Sequence, residues 1–513
     1  MEEELELSVV DTNFVPAEHI FEEENSIDRS ATEPVNESAF EGTAEPVKTT
    51  AEAQQRPGLA RKITAGLKID RKHGFFSPKL KDKRKDIFKK LTISVILMAT
   101  MIMGILSIYW GSYYKREEHL RNAFVWIVNV DNDANSLVGP SFIQVAHAFS
   151  NQSNTIQVRE VNPELYNNDY DTIVHEVVEE RAWGAYFIFG NATTNLVNAL
   201  SSPAQFAKSY DGNNAISFIY PQARDQLAYV YIQAWATALN TAFVEKFSAV
   251  TIEQVAQSYN FSAIAAASPN VLALPAGVAL DNVRPFDNPT ATAPTQVGLI
   301  YLIIISFFQF NFFQPLHMLI APMLRRTHYI LYRIVTSWIA YFFLSLFFSL
   351  ISLAFQIDFS KKFGHGGFVV YWMLNWLGMI AVGGACENMA LIAFATFPPI
   401  ISFCLIFMVI TNVSTSFFPI TLQAKIYRYG YAFPIHNLAE AMRTTLFNTK
   451  NYMGRNVGVC LAWIALNLLL LPYCVNFFNK QMTKKKMQQI KEAEKAAAEA
   501  EAAIEQGNRK ESA

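Results

Sequence analysis

Cysteine is scarce in this chain and poorly placed for a structural role. The four residues, Cys386, Cys404, Cys460 and Cys474, all lie in or beside strongly apolar runs. Their spacing fits no metal-ligand pattern, and none is positioned to brace a soluble domain. The phosphate-cradling G-x-x-x-x-G-K-[ST] loop is missing, as are H-E-x-x-H, G-x-S-x-G and any cluster of metal ligands. That counts against autonomous ATP-driven transport, and neither an enzyme activity nor a cofactor is expected. "HGGF" (His365–Phe368) has the glycines of an oxyanion loop without a nucleophile elbow, and reads as a turn. Charge is sparse too. Only 17% of residues are charged against 51% hydrophobic, with 40 Phe, which is too apolar for an ordinary soluble chain and too polar for one wholly in a membrane.

The apolar residues are clustered. Leu91 to Trp110 runs for twenty residues without a charge, enough helix to cross a hydrocarbon core of ~30 Å. Five more runs follow, Val297–Phe313, Ile334–Ile357, Phe368–Ala385, Met389–Ile410 and Val457–Phe477. The expected fold is an α-helical polytopic membrane protein with six transmembrane helices. Its weakest boundary lies between the fourth and fifth, where Cys386, Glu387 and Asn388 alone separate two runs.

Charge sets the orientation. Residues 1–50 hold fourteen acids against two bases, and 1–60 read as a disordered acidic tail in which Ser8, Ser26, Ser30 and Ser38 are candidate regulatory sites. From Arg61 to Lys90 twelve Lys or Arg precede the first span, with Lys83, Arg84, Lys85, Lys89 and Lys90 closest to it. The positive-inside rule then puts the start of the chain in the cytoplasm. A polar leader of ninety residues is too long for the charged part of a signal peptide. Six crossings return residues 479–513 to the cytoplasm, where Lys484, Lys485 and Lys486 face anionic lipid and a charged helix follows. Against this, Lys425, Arg428, Arg443, Lys450 and Arg455 lie in a segment assigned outside.

The 111–296 segment between the first two spans is long enough for a domain of its own. It carries sequons at Asn151, Asn191 and Asn260, whereas Asn36 falls on the cytoplasmic side and Asn412 too near a span. Strands are expected over Ala123–Asp131, Thr155–Val161, Trp183–Phe189 and Ala215–Tyr220, and helices over Tyr170–Ala182 and from about Gln222 to Tyr259. A small exoplasmic α/β domain carried on membrane helices is the reading.

Polar groups inside spans are costly in hydrocarbon and mark candidate sites. Glu387 is a candidate for a polar path, to sense protons or contact a substrate, but reads best as part of a cytoplasmic turn after Gly383 and Gly384. Asn311, Asn375, Asn412 and Asn467 are candidates for a polar path, with interhelical hydrogen bonding as the plainer account. Phe418–Phe447 is too polar to cross and too aromatic for a loop. Pro419, Pro434, Glu440 and Arg443 mark it as a re-entrant segment, with Arg443 expected to pair with Glu440 or with a helix carbonyl end.

This layout resembles the membrane half of type-2 ABC exporters, in which one helix, a large exoplasmic domain and five helices follow in turn. Pro419, Pro434 and Arg443 match that superfamily's pattern of two prolines and a helix ending in Arg. "VWIVNVDNDANSLVG" resembles the opening of the exoplasmic domain in bacterial phage-infection-protein relatives. "WGAYFIFGNATTNLVNAL" and "DNVRPFDNPTATAPTQVGLIYLIIISFFQFNFF" are similar to the fungal nitrosoguanidine-resistance membrane protein family, over about Phe88 to Lys480. The resemblance implies a plasma-membrane protein conferring resistance to toxic compounds, by exporting amphipathic compounds or by affecting lipid distribution. The implied partners are membrane lipids, a small amphipathic substrate, and a second copy or a separate ATPase; nucleic acid is not among them. A non-transporting regulator or scaffold, binding partners through its exoplasmic domain and tails, is the alternative.

Overall fold

The computed structural model describes residues 75–206, 209–267 and 269–511. The acidic tail expected over 1–60, with Asn36 and its serines, lies outside the described residues. The chain divides into two units, 1–86 and 87–513. In the first, Arg84 Nη1 donates to the carbonyls of Phe75 and Ser77, at 2.6 and 2.8 Å, around the turn Pro78–Leu80. Lys83, Arg84, Lys85, Lys89 and Lys90 all lie near the start of helix α1 (Lys81–Tyr113), and all but Arg84 are exposed.

In the second unit, a five-stranded sheet forms from β1 (Phe124–Asn129), β2 (Gln157–Val161), β3 (Ala185–Ile188), β4 (Ile216–Tyr220) and β5 (Val278–Asn282), in the order β2-β1-β3-β4-β5. All neighbours are parallel except β3 and β4. The β-branched and aromatic run "FVWIVN" alternates between two cores, as a period of two requires. Val125 and Ile127 pack with Phe142 of α2 (Val138–Ser150), Leu196 of α4 (Ala192–Ser201) and Ile232 of α5 (Gln226–Ser258). Trp126 and Val128 face Ile173 and Val177 of α3 (Tyr170–Val178) on the other side. Both faces are covered, which explains why "ISFIY" of β4 is buried throughout. Strand β5, "VALDN", has no counterpart among the expected strands. It is a half-exposed edge strand ending in Asp281 and Asn282, residue types depleted in strands, and only its pairing with β4 defines it.

The longer helices that follow are α6 (Gly298–Ile320), α7 (Arg326–Ala354), α8 (Gly367–Thr396), α9 (Ile401–Val413), α10 (Pro434–Phe447) and α11 (Met453–Glu511). Among the described residues, five helical stretches are long and apolar enough to cross a membrane, and a sixth, Pro398–Val413, is apolar but shorter. The boundary expected at Cys386–Asn388 is not there. Those residues lie inside α8, and the chain turns at Phe397 and Pro398 instead, where the proline disfavours helix at the residue before it.

Helix α8 is the hub, packing against α6, α7, α9, α10 and α11. Its glycines are contact points rather than turn formers. A Cβ on Gly378 would lie 2.6 Å from Leu438 Cδ2, and one on Gly383 would collide with the Tyr341 hydroxyl. Small residues let membrane helices approach closely where no hydrophobic effect drives them together.

Candidate functional site

Helix α7 carries a row of polar residues, Tyr329, Arg333, Ser337, Tyr341, Ser345, Ser349 and Ser352, all buried. Spacings of four, and once three, put successive members on adjoining turns, in a stripe that winds round the helix because each step of four advances about 40° beyond a full turn. The stripe is anchored by an ion pair. Arg333 is 0% exposed, and its Nε donates to Glu387 Oε1 at 2.8 Å while Nη2 lies 2.7 Å from the same oxygen. Nη1 donates to the Tyr329 hydroxyl at 3.0 Å, and both Nη atoms reach Gln314 Oε1 at 3.4 and 3.3 Å. Three helices thus meet on one guanidinium.

This corrects the placement of Glu387 in a turn. Arg333 lies about 10 Å along α7 from its start, and Glu387 about 13 Å from the end of α8, at 1.5 Å per residue. Two charges at that depth are tolerated only as a pair with further hydrogen bonds, which Tyr329 and Gln314 supply. Beside them a cavity of about 30 Å³ is lined by Ser337, Tyr341, Glu387, Asn388 and Asn467, large enough for a water molecule. His317, 2% exposed, has no hydrogen-bond partner for its Nδ1.

The sequence candidates scatter around this centre. Asn375 donates to Ser349 Oγ at 2.9 Å farther along the stripe. Asn467 donates to the Ala381 carbonyl at 2.8 Å and accepts, through its own carbonyl, from Asn388 at 3.1 Å. Asn412 lies apart. It donates to the Met408 carbonyl at 2.9 Å and accepts from the Ile435 N–H at 3.4 Å, which ties α9 to α10. Asn311 is exposed on α6 and belongs to no cluster. The four do not form one path. Arg333, the centre of the site, stands immediately before the run expected to span at Ile334. The signal that could have found it is the R-x₃-S-x₃-Y-x₃-S-x₃-S repeat that begins there.

A second polar region lies where the α/β domain meets 418–447. Pro419 precedes the turn Ile420–Leu422, and Pro434 opens α10 at its first position, where a missing N–H costs nothing. Arg443 does not pair with Glu440, and of the two expected partners it meets the other, a carbonyl at the end of the short helix Gln222–Arg224. Its Nη1 is 3.3 Å from Asp225 Oδ2 and donates to the Arg224 carbonyl at 3.2 Å, at the start of α5. Glu440 instead meets Arg455, and His436 at 3.4 Å. Lys450 Nζ donates to the Glu179 carbonyl at 2.7 Å and Arg284 Nε to that of Asn448 at 2.8 Å. The domain is clasped to α10 by charge on both sides.

The sheet offers a third place to look. In doubly wound sheets ligands bind beyond the strand ends where the strand order reverses, here between β1 and β3. That crevice is filled by Asp131, 2% exposed, which accepts from Gly139 N at 3.0 Å, Thr193 N at 3.2 Å and Thr193 Oγ1 at 2.6 Å. The N-terminal ends of α2 and α4 therefore already hold an anion of the chain's own.

Residues 94–469 match the family described as "Protein of unknown function (DUF3533)". A Saccharomyces cerevisiae protein described as an "Uncharacterized endoplasmic reticulum membrane protein" is 32% identical over 443 residues, covering 82% of this chain and 86% of that relative. No solved structure matches.

Proposed function

From the premise that this chain belongs to the DUF3533 family and is an α-helical, multi-pass membrane protein, we propose that it moves amphipathic molecules, membrane lipids or toxic compounds, between the faces of its membrane. The observation that carries the reading is the Arg333–Glu387 pair. Ionisable groups at membrane depth are expensive, and a polar stripe along most of α7 exceeds what packing alone needs. Parting α7 from α8 would turn that stripe into a hydrophilic track for a headgroup, and resistance to toxic compounds would follow from their export. Vesicles containing the purified chain should redistribute a labelled phospholipid or an amphipathic dye faster than empty vesicles. Equal rates would favour a non-transporting regulator.

In the proposed arrangement the chain crosses six times, with α9 as the short fifth crossing, both ends in the cytoplasm and the α/β domain on the opposite face. The segment 418–447 dips in from that face and returns. Non-helical backbone at membrane depth must be sheltered by protein, and Gln423 and most of α10 are buried. The same orientation suits the endoplasmic reticulum, where the relative is described, and the plasma membrane. The side chains of Asn151, Asn191 and Asn260 are exposed. Glycosidase treatment should shift the wild-type band on a gel, and the triple Asn→Gln variant should show no shift. Modification at Asn36 instead would reverse the orientation.

A further inference from the structure

Arg443 is 8% exposed and lines a cavity of about 270 Å³ at the junction of α10 and the α/β domain. Its Nη1 is engaged by Asp225 and the Arg224 carbonyl, but its Nη2 has no hydrogen-bond partner. A buried guanidinium donor without an acceptor is costly. Two neighbouring bases on the same cavity are loosely held by their acids. Arg224 Nη2 lies 3.8 Å from Glu180, and Lys450 Nζ 3.9 Å from the Glu179 carboxylate. Arg455, by contrast, is closely paired with Glu440. The counter-ion of Arg443 is itself compromised. Burial pushes the Asp225 carboxyl up, and the charge of Arg443 and the Ala228 N–H recover only part of that.

We infer that this cavity binds a phosphomonoester, presented by a lipid headgroup or as a free anion. The planar guanidinium of Arg443 supplies directed donors, Arg224 and Lys450 add charge, and Thr449 lines the wall with a hydroxyl. The volume exceeds what a carboxylate alone would fill. The inference concerns equilibrium binding and does not depend on the chain moving anything, so a failed movement assay leaves it standing and its own failure leaves the movement proposal intact.

The competing role of Asp225 gives the test its sign. Asp225 caps α5 by accepting from Ala228 N at 3.0 Å, and asparagine caps equally well. Asp225→Asn should therefore keep the helix while withdrawing the carboxylate that competes for Arg443. Binding to the purified full chain would be measured with inorganic phosphate in detergent, and in phosphatidylcholine nanodiscs with and without phosphatidic acid. The wild type should bind at least one probe saturably. Phosphate binding identifies a free anion as ligand, and binding of phosphatidic acid alone identifies a headgroup. Arg443→Gln should weaken binding roughly tenfold or more, the loss of one charge-assisted hydrogen bond. Lys450→Gln should weaken it less, and Asp225→Asn should strengthen it. If Arg443→Gln fails to fold, the other two variants still decide. Binding of neither probe, or an Asp225→Asn protein that is folded and binds no tighter than wild type, overturns the inference.

Discussion

Glu387→Leu is expected to destabilise the protein by about 3–5 kcal/mol, because it strands Arg333 as a buried charge facing only neutral partners. Arg333 is 0% exposed, and without Glu387 its remaining partners are the Tyr329 hydroxyl and Gln314 Oε1. The double variant Arg333→Met/Glu387→Leu should recover most of that loss, since replacing a buried pair by apolar residues of similar size is often neutral or better. Unfolding midpoints of detergent-solubilised protein check both. A single variant as stable as wild type would show the pair to be less isolated than its geometry indicates.

The second large effect belongs to Asp131. Asp131→Ala should destabilise the α/β domain by about 3 kcal/mol or more, since it leaves buried donors at Gly139 and Thr193 with no acceptor. Asp131→Asn should also be damaging, since its amide turns a donor toward donors. Limited proteolysis between β1 and β5 reports the effect. Cleavage of the Asp131→Ala protein at the wild-type rate would mean that this contact contributes little.

These two positions differ in how far the sequence discloses them. Asp131 ends an apolar, β-branched run, a local pattern that marks the strand and its stop, though not the pairing with Thr193 sixty-two residues on. The apolar runs themselves mark the membrane helices, because length and hydropathy are properties of contiguous residues. The ion pair is different. Arg333 and Glu387 are 54 residues apart on separate helices, so each alone looks like a charge that should end a span. That logic places a turn at Glu387, just after Gly383 and Gly384. In the folded bundle the glycines make room for Tyr341 and Asn467, and the charge is cancelled from another helix. The charged partner of Arg443 is hidden from the sequence for a similar reason. Glu440 is near in sequence, but the segment packs against the start of α5, where Asp225 is nearer. Local chemistry reports element type, whereas partner choice depends on the packing.

A buried pair and a polar stripe can serve packing or passage, and one measurement separates the two. The Arg333→Met/Glu387→Leu double variant, reconstituted beside wild type at equal protein density, would be assayed for redistribution of labelled phospholipid and amphipathic dye across vesicles. The account predicts that the wild type is active and that the double variant, though folded and about as stable, is slower by at least about tenfold, equivalent to some 1.4 kcal/mol on the barrier. Equal rates for the two proteins, or no movement above empty vesicles by either, would contradict it.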